Sequence, residues 1–60
     1  MIIYTRKGCA PCNTLKYFLN KNGIAFIEKD PPQDIRIVPT IHYKGHVIEG
    51  LNWAYLKSLL

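Results

Sequence analysis

The apolar run Ile2-Ile3-Tyr4-Thr5, followed closely by Cys9-Ala10-Pro11-Cys12 and then by a stretch of helical periodicity, most restricts what this chain can fold into. The short β-prone run predicts a buried strand. Pro11 suits the first turn of a helix, where its missing N–H costs nothing. Leu15, Phe18 and Leu19 then recur at helical spacing, and Gly23 supplies a stop after about Asn22. Cys12 stands three positions before Leu15 and shares its inward face, whereas Cys9, ahead of the first turn, is expected to point to solvent. A thiol at a helix N-terminus ionises more readily, and the thiolate is the attacking species in disulfide exchange. Strand, C-x-x-C, helix therefore reads as a redox signature rather than a cysteine count.

Length and composition narrow the setting. With 60 residues the chain is one domain, 1–60, and a domain of that size buries only about 60% of its unfolded surface. Apolar residues make up 48% and charged residues 20%, which fits a folded globule and not a disordered tail. The two cysteines are too close in sequence to staple distant segments, so their ring removes little unfolded-state entropy. That argues against a secreted disulfide scaffold and for a thiol pair in a reducing, cytoplasmic setting. No secretory h-region and no apolar run of ~20 residues is visible, so no membrane association is expected. The net charge is +4, but the basic residues are scattered and only Arg6-Lys7 are adjacent. Without a basic stripe or stacking platform, solvated surface charge is preferred over nucleic-acid binding.

Further along, Ile24-Ala25-Phe26-Ile27 reads as a second strand, completing a βαβ unit with parallel strands and a right-handed crossover. Asp30-Pro31-Pro32-Gln33-Asp34 reads as a loop, since paired prolines break helix and strand alike. Thr40 to Tyr43 and His46 to Ile48 flank Lys44-Gly45 as a hairpin. Asn52 is a candidate N-cap for a last helix with Trp53, Leu56 and Leu60 on one face and Leu59 beside it. The expected order is β-α-β-(loop)-β-β-α, an α/β fold without internal repeats.

That order, with Ile3-Tyr4-Thr5-Arg6-Lys7-Gly8-Cys9-Ala10-Pro11-Cys12, then Val38-Pro39-Thr40-Ile41, then Gly45 and Gly50, resembles the thioredoxin superfamily. It looks most like the glutaredoxins and the NrdH-type redoxins that feed electrons to ribonucleotide reductase. The resemblance covers essentially the whole chain and implies a thioredoxin-like, glutaredoxin-type fold with a mixed four-stranded sheet. Family members carry a helix between the second strand and the Val-Pro segment. Here only residues 29–37 fill that interval, so the central helix is expected to be missing, leaving one sheet face uncovered as an apolar patch. The dipeptide Ala10-Pro11 differs from the Pro-Tyr common in glutaredoxins and is closer to the Gly-Pro of thioredoxins.

The resemblance implies a dithiol-disulfide oxidoreductase, an electron carrier in cell redox homeostasis, with Cys9 as nucleophile and Cys12 as resolving thiol. It implies a cis bond before Pro39 and a backbone docking role for Val38. Glutathione recognition would use Arg6 and Lys7 and, by a partial match, the stretch Glu49-Gly50-Leu51-Asn52, with Gly50 and Asn52 at the start of the last helix. Glu49 would oppose a carboxylate there. No bound cofactor is expected; glutathione is a candidate co-substrate, and glutathione or a thioredoxin-reductase-type flavoenzyme is the candidate reductant. Disulfide-containing proteins, ribonucleotide reductase among them, are the candidate partners.

Competing readings are a metal- or iron–sulfur-binding module using Cys9 and Cys12, and a non-catalytic adaptor of the same fold. Zinc held by Cys9, Cys12, His42 and His46 is disfavoured. The interval between the cysteine and histidine pairs is too long for a compact finger, and a turn at Lys44-Gly45 sends the imidazoles to opposite sheet faces. Both histidines then read as solvent-facing hairpin positions. Tyr17, Trp53 and Tyr55 read as helix-face packing and its rim rather than a stacking platform, and Glu28 and Asp34 as isolated surface carboxylates.

Overall fold

A computed structural model describes residues 1–60. It is a small α/β structure with one mixed four-stranded sheet and two helices. The elements are β1 (Ile2–Tyr4), α1 (Ala10–Lys21), β2 (Ile27–Lys29), β3 (Thr40–Tyr43), β4 (His46–Glu49) and α2 (Trp53–Ser58), and the sheet order is β2-β1-β3-β4. β1 pairs in parallel with β2 and antiparallel with β3, and β3 pairs antiparallel with β4. No helix separates β2 from β3, and no helix is long and apolar enough to cross a membrane.

The register sorts side chains into two faces, because alternate residues of a strand point to opposite sides. Glu28, Ile3, Ile41 and Ile48 stand in one row across the four strands. Ile3 and Ile41 of that row are buried together with Leu15 and Leu19 of α1 and Leu56 of α2. Both helices therefore cover the same side of the sheet. Phe18 of α1 meets Trp53 of α2 edge-on, ring centroids 5.6 Å apart, which closes the helical layer. The opposite face carries the row Ile27, Ile2, His42 and Val47. Ile27 and Val47 remain exposed there, at 59% and 61%. The loop after β2 reaches this face only near its end, where Pro32, Asp34 and Ile35 line a shallow pocket with Tyr4, Thr40 and His42.

Three sequence expectations need correction. The second strand begins at Ile27, not at Ile24. Ile24 belongs to the end of α1: its N–H bonds to Leu19 O at 2.9 Å, and that of Gly23 to Asn20 O at 3.2 Å. With Gly23 at φ +67° this is a Schellman cap, whose terminal apolar residue packs back on the helix. Ile24 accordingly packs against the core.

In the last helix, Leu56 is fully buried and Leu59 packs beside it, while Leu60 is 71% exposed. The helix ends at Ser58, and Leu59 and Leu60 close with tighter bonds to Leu56 O and Lys57 O. A three-residue turn places Leu59, three after Leu56, on the inward side. Trp53 stays 43% exposed on the rim. The third correction concerns His42. It is half-buried rather than solvent-facing and stands edge-on to Tyr4 with centroids 5.0 Å apart. His46 is exposed on the helical side, near Tyr55.

The hairpin forms as expected, with Lys44 and Gly45 both at positive φ, the two-residue turn whose twist matches antiparallel strands. Asn52 caps α2 by accepting the Tyr55 N–H at 3.1 Å.

The core is small enough for single deletions to be decisive. Leu19→Ala is expected to cost about 2–5 kcal/mol and Ile41→Val about 0.5–1.5 kcal/mol. Urea unfolding followed by circular dichroism checks both. A Leu19→Ala protein with an unchanged midpoint would contradict this account of the core.

Candidate functional site

Strand register gathers the candidate residues at one end of the sheet. Tyr4 pairs with Thr40, and Thr40 with Glu49. One step further along, the end of β1 stands beside Pro39, and Pro39 beside Gly50, whose N–H bonds to Pro39 O at 2.7 Å. Arg6, Lys7, Cys9 and Cys12 follow directly from β1, Val38-Pro39 lead into β3, and Gly50 and Asn52 lie between β4 and α2. The Val38-Pro39 peptide bond is cis, and Pro39 is buried. Thr40, 2% exposed, donates its hydroxyl to Ile37 O, fastening the chain just before that bond.

The two sulfurs are joined in a disulfide, with Cα atoms 5.2 Å apart, inside the range such bonds span. Their surroundings differ. Cys9 is the N-cap of α1, in extended conformation, and its Sγ accepts the Cys12 N–H at 3.1 Å. Its carbonyl takes the first helical bond, from Asn13 N–H at 3.1 Å. No acidic residue lies in the first turn of α1 to oppose a negative charge there. Cys9 is half-buried, more sheltered than its place ahead of the helix suggested. A cap residue must turn its side chain back over the first N–H groups, and that draws it in from solvent. Cys12 is 1% exposed, on the face shared with Leu15 and Leu19. One sulfur is thus partly exposed and accepts a backbone N–H at the helix start, and the other is buried on the first turn.

Arg6 and Lys7 are exposed in the loop between β1 and Cys9. They line a groove with Thr5, Asn13, Lys16 and Glu28. Sequence reasoning missed the polar link at its floor. The Thr5 hydroxyl donates to Glu28 Oε2, and Lys16 Nζ lies 3.0 Å from the same oxygen. Glu28 is therefore tied to both β1 and α1 and is not an isolated surface carboxylate. The parallel register that places Glu28 opposite Ile3, on the α1 side, was the missing signal. His42 and His46 lie on opposite faces, since His42 pairs with Val47 and Tyr43 with His46. No group of three or more His, Cys, Asp or Glu side chains is placed to hold a metal.

Comparison of the chain with protein-family models, with curated proteins and with solved structures found no match.

The Glu28 link has a pH signature. The Thr5 hydrogen bond first, and then the Lys16 hydrogen bond and charge, hold the Glu28 carboxyl below its ordinary value, against an opposing desolvation. A folded-state pKa lowered in this way stabilises the protein above the unfolded-state value, and the contribution is lost as pH falls through the folded-state value. Urea midpoints measured from about pH 7 down to about pH 3 should fall less steeply in Glu28→Gln than in the wild type, across and below the usual carboxylate range. Superimposable profiles would show that Glu28 carries no such linkage. Because the carboxylate is partly exposed, the difference is expected to shrink in salt.

Proposed function

We propose that the protein is a dithiol-disulfide oxidoreductase of thioredoxin-like, glutaredoxin-type fold, with residues 1–60 as one minimal domain. The observation that carries this reading is the asymmetric placement of the Cys9–Cys12 pair: Cys9 caps α1 and accepts a backbone N–H, and Cys12 is buried on the first turn beside it. The cis Val38-Pro39 bond at the same end of the sheet and the order of the elements are consistent with that family resemblance.

In the reduced protein the Cys9 thiolate attacks one sulfur of a substrate disulfide. A new S–S bond forms, and the other substrate sulfur departs as a thiolate and takes up a proton. Cys12 then loses its proton and attacks Cys9 Sγ, closing the ring seen here and releasing the second substrate thiol. The substrate gains two electrons and two protons, and the protein loses them. The Cys12 N–H at the helix start and the nearby Arg6 and Lys7 favour the Cys9 thiolate. Proximity makes the second step effectively unimolecular. Val38 offers backbone to an extended substrate segment. Arg6, Lys7 and the start of α2 at Gly50 and Asn52 receive carboxylates, those of glutathione included. Two electrons from glutathione or from a thioredoxin-reductase-type flavoenzyme reopen the ring, and protein disulfides, ribonucleotide reductase among them, are the substrates.

Purified protein is expected to reduce insulin or a glutathione mixed disulfide without added metal. Cys9→Ser should abolish the activity. Cys12→Ser should accumulate a mixed disulfide at Cys9, visible by mass spectrometry as the added mass of the substrate thiol. Full activity in Cys9→Ser would overturn the nucleophile assignment. A brown, cluster-loaded protein as purified would overturn the electron-carrier reading. Coupling to glutathione with its reductase, or to thioredoxin reductase directly, identifies the reductant.

A further inference from the structure

β1 stands between β2 and β3, so the disulfide loop has two distinct flanks. Pro39 and Gly50 occupy the β3 side. On the β2 side lies a groove bounded by the loop 6–8, α1 and the end of β2, and none of its lining residues is hydrophobic. Four cationic residues, Arg6, Lys7, Lys16 and Lys29, line it against two anionic ones, Glu28 and Asp30. The single ion pair of the structure, Lys16 with Glu28, cancels one of each. Three cationic residues, Arg6 and Lys7 on the loop and Lys29 at the end of β2, then remain against Asp30. Thiol exchange alone requires no such surface beyond the residues nearest Cys9. The groove continues from Arg6 and Lys7, which directly precede the Gly8-Cys9 step, along the sheet edge to Lys29. Its walls offer charge and hydrogen-bonding groups but no hydrophobic or aromatic side chain. That suits a carboxylate-rich strand of protein, and it provides no stacking surface for bases.

We propose that this groove is a recognition subsite for protein disulfides whose attacked cysteine is flanked, on one side, by Asp or Glu residues. The proposal rests on the oxidoreductase reading and deepens it by naming the class of substrate. The substrate backbone crosses Cys9, with the acidic flank on the β2 side and the remaining flank toward Val38. An extended chain advances about 3.3 Å per residue, so carboxylates within a few residues of the cysteine come within reach of Arg6, Lys7 and Lys29. The attraction acts mainly on encounter and weakens with salt.

The test uses two short peptides, each with one cysteine in a mixed disulfide with mercaptoethanol, one with acidic and one with uncharged flanking residues. Pre-reduced protein supplies both electrons in a single turnover, and chromatography follows the released peptide thiol. The wild type should react with the acidic peptide about ten-fold faster near 20 mM salt, and this ratio should collapse near 500 mM. In Arg6→Gln/Lys29→Gln the ratio should fall toward one at low salt. In Lys44→Gln/Lys57→Gln, which removes the same charge away from the groove, it should persist. A wild-type ratio of one, or equal losses in the two variants, would overturn the subsite. Failure to reduce either peptide would overturn the oxidoreductase reading instead. The acidic peptide with serine in place of cysteine then decides the groove alone: titrated onto the oxidised protein, binding that Arg6→Gln/Lys29→Gln weakens supports the subsite, and no binding overturns it. Displacement of that peptide by a single-stranded oligonucleotide of equal charge would assign the groove to nucleic acid and overturn the proposal.

Discussion

The antiparallel register of β1 with β3 is the constraint on which the rest of the structure depends. It sets Ile3 against Ile41 beneath Leu15, Leu19 and Leu56, and so defines the buried face. It also sets Tyr4 against Thr40, which puts the loop carrying Cys9 and the cis Val38-Pro39 segment at the same end of the sheet. A slip of one residue would turn Ile3 and Ile41 to solvent, because side chains alternate along a strand. Core and site therefore stand or fall by the same pairing. The ends of β1 and β3 are also fixed outside their ladder: Thr5 N–H bonds to Lys29 O at 3.1 Å, and Gly50 N–H to Pro39 O at 2.7 Å. These bonds hold the four strands level at the end where the cysteines lie.

A domain this short has one well-buried layer, and both helices are used to make it. The far face of the sheet is left to Ile2, His42 and the exposed Ile27 and Val47, with a loop covering only one end. Stability thus resides on the helical side, which is also the side that holds Cys12. Its sulfur is positioned by the packing of Leu15 and Leu19, one and two turns along the same helix. The geometry of the thiol pair follows from where α1 begins and which face it buries, so the core and the chemistry are not independent parts.

Much of this was legible in the residues. The helix of Leu15 and Leu19, the Lys44-Gly45 turn and the Asn52 cap each follow from local rules that act within a few positions. The misread elements are those in which tertiary geometry competes with local pattern. Ile24 and Phe26 look like strand residues because they alternate with Ala25, yet both pack on the core from the segment leaving the Schellman cap. Leu59 replaces Leu60 because the last turn tightens, a departure of a single residue from helical spacing. Glu28 and His42 gained partners only through strand register, which periodicity does not encode. For the site, the cysteine spacing named the pair and predicted which sulfur is sheltered, but not that Cys9 would itself be drawn in as a cap.

The cap geometry also bears on the direction of exchange. A sulfur that accepts a backbone N–H is stabilised more as a thiolate than as a thiol, because a charged acceptor makes the stronger hydrogen bond. Cys12 lies beneath it, nearly out of contact with solvent, where a charged form is disfavoured in general. In the exchange we propose, Cys9 is then the better leaving group toward an external thiol within a mixed disulfide, and Cys12 attacks once Cys9 holds the substrate beside it. The order of events follows from two burial environments three residues apart. In the recognition we propose, the positive groove on the β2 side acts earlier, on the approach of the substrate. It would bias which disulfides arrive and leave the order of bond exchange to the helix.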